Sequence, residues 1–255
     1  MSKLLELPRP LIIAHRGDAV HAPENTRAAF RMALEKEADM LETDLWLTRD
    51  GVLVCHHDRT LARVTDHDGA IPDLSLAEVR QARVIGSYCG RFDPAQYPDE
   101  RIPTLEELLV LTPPDKGLAL ELKDPALARP ENAQKLIDMI RPRIEAGMVF
   151  LMSFDRELLY AAKKIDPRVW IGEISVGNAE PVFDGDGIGT TPQAMAANPR
   201  YMESARAQGL WVCPLDPAPE DRLDWYLTLG VDALLSHDPA RTRAALNAKR
   251  ATLAL

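Results

Sequence analysis

The chain has little cysteine, and what it has is scattered. Cys55, Cys89 and Cys213 are odd in number and far apart, so they form neither a zinc pattern nor a disulfide framework and suit a reducing compartment. Runs of lysine or arginine are missing and the net charge is −9, which argues against nucleic acid as a partner. No apolar stretch approaches the length needed to span a membrane. Met1 to Pro10 holds Lys3, Glu6 and two prolines and lacks the apolar core of a signal peptide. The expected location is therefore the cytoplasm, with no integral membrane segment. No phosphate-binding glycine fingerprint follows the first apolar run, and there is no P-loop and no serine elbow. With no linker, composition break or low-complexity tract, residues 1–255 read as one domain.

What is present is a rhythm of apolar runs and amphipathic stretches. Leu11–Ala14 reads as a buried strand ending at His15-Arg16-Gly17, and a helix is expected to start near Asn25-Thr26. Met40, Glu42, Asp44 and Trp46 alternate with Leu41, Thr43, Leu45 and Leu47, the period of a strand. Arg49-Asp50-Gly51 marks a turn, and Val52–Val54 is a short strand delivering His56 and His57. Ser75 with Glu78, and Thr104 with Glu107, have capping-box spacing, predicting helices to Arg83 and over Leu105–Leu111. Residues 84–100 read as an excursion or lid, with Tyr88, Phe92 and Tyr97 either capping a substrate tail or covering the barrel.

Further on, strands are expected at 118–122, 148–152, 168–174, 187–189, 210–213 and 233–235. Helices are expected at 130–145, 156–165, 192–207 with a break at Pro199, 221–229 and 239–248. Repeated alternation implies parallel strands. About eight units in roughly 250 residues fit an α/β fold of the (β/α)8 barrel type, with a small excursion after the second strand. A doubly wound open sheet is the second choice, and it lacks its glycine signal.

The unusual polar residues fall at strand ends, where barrel enzymes place their sites. Two carboxylates two residues apart on one strand face repel unless a cation sits between them. Glu42, Asp44 and Glu121 are therefore candidate ligands of one divalent cation, Mg²⁺ or Ca²⁺, with Mn²⁺ a further candidate. The competing reading is a charged, wet barrel rim. Arg16 and Lys123 add positive charge suited to an anionic phosphate ester. His15 and His57 can exchange protons near neutrality and form a candidate acid–base pair. Ser153 and Trp211 are candidate pocket residues for substrate, and Ser236-His237 ends a late strand. His56 is read as a neighbour of the catalyst, His21 and His67 as loop residues, and Glu24 with Asn25 as helix-start residues able to orient His15.

Taken in order, these pieces resemble the glycerophosphodiester phosphodiesterase family. The matches are His15-Arg16-Gly17, Pro23-Glu24-Asn25-Thr26, Glu42-Thr43-Asp44, His57-Asp58 with Thr60-Leu61, Ile102-Pro103-Thr104-Leu105-Glu106, Glu121-Leu122-Lys123, Ser153-Phe154 and Trp211. They span nearly the whole chain. The resemblance implies a TIM barrel and a metal-dependent hydrolase that cleaves glycerophosphodiesters to an alcohol and sn-glycerol 3-phosphate. It implies metal ligands at Glu42, Asp44 and Glu121, proton transfer by His15 and His57, and phosphate contacts from Arg16 and Lys123. The sequence departs from the family at Pro214, where asparagine is common, and at His237, where the family commonly has aspartate. Those departures motivate an alternative in which the same site acts on lysophospholipids or an unusual sugar phosphodiester. A phospholipase C-like barrel is a more distant alternative, and a barrel binding metal or phosphodiester without turnover is the non-enzymatic one. The expected partner is a small-molecule phosphodiester; a homo-oligomer is left open.

Overall fold

A computed structural model describes residues 3–253; the ends of the expected domain, Met1, Ser2, Ala254 and Leu255, lie outside the described residues. Chain order runs β1 (Leu11–Ala14), α1 (Arg27–Glu35), β2 (Met40–Leu47), β3 (Leu53–Cys55), α2 (Leu76–Val79), α3 (Leu105–Leu111) and β4 (Gly117–Leu122). It continues through α4 (Pro130–Glu145), β5 (Val149–Ser153), α5 (Arg156–Ile165), β6 (Trp170–Ser175), β7 (Gly187–Thr190), α6 (Pro192–Ala197) and α7 (Tyr201–Ala207). It ends with β8 (Trp211–Val212), α8 (Leu223–Leu229), β9 (Ala233–Ser236) and α9 (Pro239–Leu253).

Eight of these strands lie in the order β8-β7-β6-β5-β4-β2-β1-β9, all pairs parallel, while β3 pairs antiparallel with the far end of β2. The result is a nearly closed (β/α)8 barrel, and the open-sheet alternative is excluded. The path ends at β8 and β9, and Asp232 bridges them. Its backbone N–H donates to the Val212 carbonyl (2.9 Å), and its carboxylate accepts from the Val212 N–H (2.8 Å). Arg9 and Arg206 neutralise that buried carboxylate.

Side chains sort by strand parity. On β4, Leu118, Leu120 and Leu122 join the core between barrel and helices, while Ala119 belongs to a second cluster inside the barrel with Ile13, Met40, Phe150, Trp211 and Leu235. Gly172 makes room for the Phe150 ring: a Cβ there would lie 2.1 Å from Cζ. The interior floor is thus filled, and a cavity opens above it toward the C-terminal ends of the strands.

One expectation needs correction. The helix expected to reach Arg83 ends at Val79, because Arg83 pairs with Arg101 in an antiparallel bridge and its N–H donates to Asp66. The 84–100 excursion is strapped to the β1–α1 loop. Ser87 Oγ donates to the Ala19 carbonyl (2.6 Å), and Tyr97 Oη to that of His21 (2.7 Å).

Candidate active site

Parity on β2 sends Met40, Glu42 and Asp44 into the barrel, and the β2–β4 register sets Glu121 directly beside Asp44. Three carboxylates thereby meet, with one oxygen from each within 4.8 Å of the others. Glu42 Oε1 is buried without a hydrogen-bond partner, and Asp44 Oδ1 and Glu121 Oε1 are buried with only the Lys123 ammonium beside them among the described residues. Three converging carboxylates are costly in a buried site and suit a hard divalent cation. Burial, then the neighbouring acids, push Glu42 well above the usual carboxylate range and Glu121 up to about 7. Burial also opposes ionisation of Asp44, but Arg16 and Lys123 outweigh it and hold Asp44 below that range. Lys123 Nζ lies 2.5 Å from Glu121 Oε1 and 3.4 Å from Asp44 Oδ1.

The turn after β1 supplies the opposing charge. Arg16 and Asn25 both take the left-handed backbone conformation (φ 59° and 55°), and Gly17 follows at 79°. Side chains other than glycine hold this conformation only where surroundings enforce it. At Gly17 glycine is required, since a Cβ would lie 2.6 Å from the Ala29 carbonyl carbon. The turn aims the Arg16 N–H at Glu42 Oε2 (2.8 Å), and its guanidinium lies against Glu24 (3.0 Å) and Asp44 (3.4 Å).

Both expected histidines border the same cavity. His15 Nε2 lies 3.9 Å from Glu42, and His57 Nδ1 lies 2.6 Å from Asp58 Oδ1. Burial, with Arg16 and His237 adding to it, lowers the His15 pKa well below the ordinary value. Burial also lowers that of His57, although Asp44 and Asp58 pull it up. Each imidazole therefore favours its neutral form. The cavity, of about 190 Å³, lies over Glu42, Glu121, Lys123 and both histidines and extends across Met152, Phe154, Ile174 and Leu215.

A family model for the glycerophosphoryl diester phosphodiesterase family matches residues 15–241. The chain belongs to this family. A glycerophosphodiester phosphodiesterase of Caldanaerobacter subterraneus subsp. tengcongensis is 32% identical over 236 residues, covering 91% of this chain and 95% of its own. Among solved structures, an Oleispira antarctica phosphodiesterase in complex with the product sn-glycerol-3-phosphate superposes with a TM-score of 0.80 at 26% identity. It covers 93% of this chain and 97% of its own. A glycerophosphodiester phosphodiesterase from Agrobacterium tumefaciens gives 0.71 at 27% identity, covering 90% and 97%.

Of the two expected pocket residues, one borders the cavity and the other does not. Ser153 does not border the cavity: its hydroxyl donates to the Leu122 carbonyl (2.8 Å) and accepts from the Asp155 N–H (3.1 Å). It shares parity with Leu151 and faces the helices. Trp211 does border the cavity, but it opens β8 instead of ending it, and packs on Phe150 with ring centroids 5.4 Å apart. Pro214 accepts the Asp216 N–H (2.9 Å) through its carbonyl. His237 meets His15 through an Nδ1–Nδ1 contact of 3.2 Å.

Further residues hold the site in place. Asn25 Nδ2 donates to Asp44 Oδ2 (3.0 Å) while its Oδ1 accepts from Thr43 Oγ1 (2.7 Å). Arg63, not singled out in the sequence, joins Asp58 to Glu24 with contacts of 2.5 and 2.7 Å. It thereby couples the carboxylate behind His57 to the one behind Arg16. His56 is buried and its Nε2 lies 3.1 Å from the Thr60 carbonyl, a structural contact.

Proposed function

We propose that this chain hydrolyses glycerophosphodiesters to an alcohol and sn-glycerol 3-phosphate, using a divalent cation held by Glu42, Asp44 and Glu121. The carrying observation is the convergence of three buried carboxylates, one with an unpartnered oxygen, beside two cavity-facing histidines and the side chains of Arg16 and Lys123. Family membership and the relatives' names support the same chemistry.

Arg16 and Lys123 bind the non-bridging oxygens of the anionic phosphodiester and orient it. A bound divalent cation supplies Lewis-acid charge stabilisation at the phosphoryl group. His15 and His57 carry the protons: a neutral imidazole removes one from the attacking hydroxyl, and its partner returns one to the departing alcohol. Asp58 stabilises the protonated form of His57 through Nδ1. In the net reaction one phosphorus–oxygen bond forms from water, the bond to the alcohol breaks, and no oxidant or reductant is needed. Mg²⁺, Ca²⁺ and Mn²⁺ all suit an all-carboxylate set.

The test is release of glycerol 3-phosphate from glycerophosphocholine and glycerophosphoethanolamine by protein stripped with chelator, then resupplied with each metal. Product restored by metal is expected. Full turnover by the stripped protein contradicts the metal assignment, and absence of product with every metal contradicts the activity.

A further inference from the structure

Strand register delivers His15 and His237 to one another. β1 and β9 run parallel with Ala14 opposite Ser236, so the next residue of each chain segment stands beside the other at the C-terminal end of the barrel. Neighbouring strands lie about 4.8 Å apart, and paired residues project to the same side. Both backbones are fixed: the His15 N–H donates to the Ser236 carbonyl and that of His237 to the Pro217 carbonyl, each at 2.8 Å. The rings then meet with centroids 4.7 Å apart and Nδ1 facing Nδ1 at 3.2 Å. Among the described residues this is the one hydrogen bond of the His15 ring, because Nε2 lies 3.9 Å from Glu42 Oε2, beyond hydrogen-bond reach.

Two facing ring nitrogens share one proton, so one Nδ1 donates and the other accepts. The nitrogens of an imidazole point apart, and with Nδ1 engaged, Nε2 of each ring is turned away from the other ring. For His15 that side holds Glu42 and the active cavity. His237 borders a second cavity, of about 250 Å³, together with Arg91, Glu220, Asp238 and Arg241. This polar lining suits a proton on His237 Nε2, which leaves its Nδ1 an acceptor. A proton on His15 Nε2 has no acceptor within hydrogen-bond reach among the described residues, and it would prevent that nitrogen from taking one from an attacking hydroxyl.

We propose that His237 is a positioning residue for His15: it accepts the His15 Nδ1–H, fixes the tautomer of that ring and leaves Nε2 bare toward the active cavity. The inference rests on the phosphodiesterase reading and deepens it. In the reaction, Nε2 takes the proton of the attacking hydroxyl, and the electron pair of the broken oxygen–hydrogen bond is released to form the new phosphorus–oxygen bond. The Nδ1–H keeps its acceptor throughout, so the imidazolium forms without losing a hydrogen bond. The acceptor is a neutral ring and not a carboxylate. It therefore sets the tautomer without adding a negative charge that would hold the proton on His15 after turnover.

The test joins a spectroscopic readout to a kinetic one. In protein labelled with ¹⁵N-histidine, six rings contribute, and those of His15 are assigned by their loss in His15→Gln. The expected wild-type spectrum at pH 8 has a protonated Nδ1 and a bare Nε2 for His15, and His237→Leu moves the proton toward Nε2. In Mg²⁺-supplied protein with glycerophosphoethanolamine, His237→Leu fills the same space without an acceptor and is expected to lower kcat by about tenfold or more, with KM within about twofold. His237→Asn, whose Oδ1 can stand where Nδ1 stood, is expected to keep most of kcat. A proton on His15 Nε2 in the wild type overturns the inference, and this reading does not depend on the Leu variant folding. Equal losses in the Leu and Asn variants, or none in either, overturn it as well. No glycerol 3-phosphate from the wild type overturns the phosphodiesterase reading, while the His15 resonances still decide whether His237 is the acceptor.

Discussion

His57 is backed by the carboxylate of its neighbour in the chain, whereas His15 leans on the imidazole of His237. Loss of a positioned proton carrier costs typically about 10²–10⁴ in rate. His57→Ala is therefore expected to lower kcat within that range with little change in KM, and Asp58→Asn to lower it less, in steady-state assays of glycerol 3-phosphate release. A KM effect alone places His57 in binding. His237 gives a pH signature in stability. Burial first, then Arg16, lowers its pKa to about 4. Between that value and the ordinary one near 6.5, the unfolded chain takes up a proton that the folded chain refuses. Stability is complete above about pH 6.5 and falls as pH drops toward 4. His237→Asn is expected to remove on the order of 1 kcal/mol of the loss between pH 7 and 5, read from urea midpoints; identical wild-type and variant slopes contradict the assignment. At this scale the sequence discloses what parity sets: Glu42 and Asp44 share one face of β2 by alternation, and the β2–β4 register adds Glu121. Arg63 escapes notice because its partners, Asp58 and Glu24, meet only after the excursion folds back over the β1 turn. Ser153 is misplaced because Val149–Phe154 is apolar on both faces, so no alternation reveals which way the serine points.

At the element scale, capping chemistry is local and therefore readable. Both expected boxes form, Ser75 with Glu78 and Thr104 with Glu107. The Thr104 hydroxyl accepts the Glu107 N–H at 3.2 Å, and Glu107 reaches back to the Thr104 N–H at 2.8 Å. Thr104→Ala is expected to destabilise the protein by about 1 kcal/mol, measurable in urea at unchanged m-value. The break at Pro199 is readable for the same reason, and α6 and α7 flank it. The end of α2 is not local: the chain trades helical hydrogen bonds for the Arg83–Arg101 bridge and the Val84–Glu100 bond (3.0 Å), whose partners lie beyond any helical window. The two-residue β8 fails for a related reason, since a strand so short has ends set by its neighbours and not by its own pattern.

For the whole molecule, alternation of strand and helix specifies the barrel, and Asp232 braces the seam where it nearly closes. Asp232 is buried, accepts from the Val212 N–H and is flanked by Arg9 and Arg206 across the β8–β9 seam. Both arginines are partly exposed and can rehydrate, so the main loss in Asp232→Ala is an unsatisfied amide. The expected cost is about 2 kcal/mol, seen as a lower urea midpoint. An unchanged midpoint contradicts the role of Asp232 in closing the barrel. Away from that seam, the direct pairing of β2 with β4 brings the three carboxylates together.

The central claim is that this convergence holds the divalent cation, and anomalous diffraction from crystals soaked in Mn²⁺ tests it most directly. The account predicts one strong peak among Glu42, Asp44 and Glu121, abolished by Glu42→Gln. A protein with no peak there, or with its peak at the Asp18, His21 and Asp238 cluster instead, contradicts it.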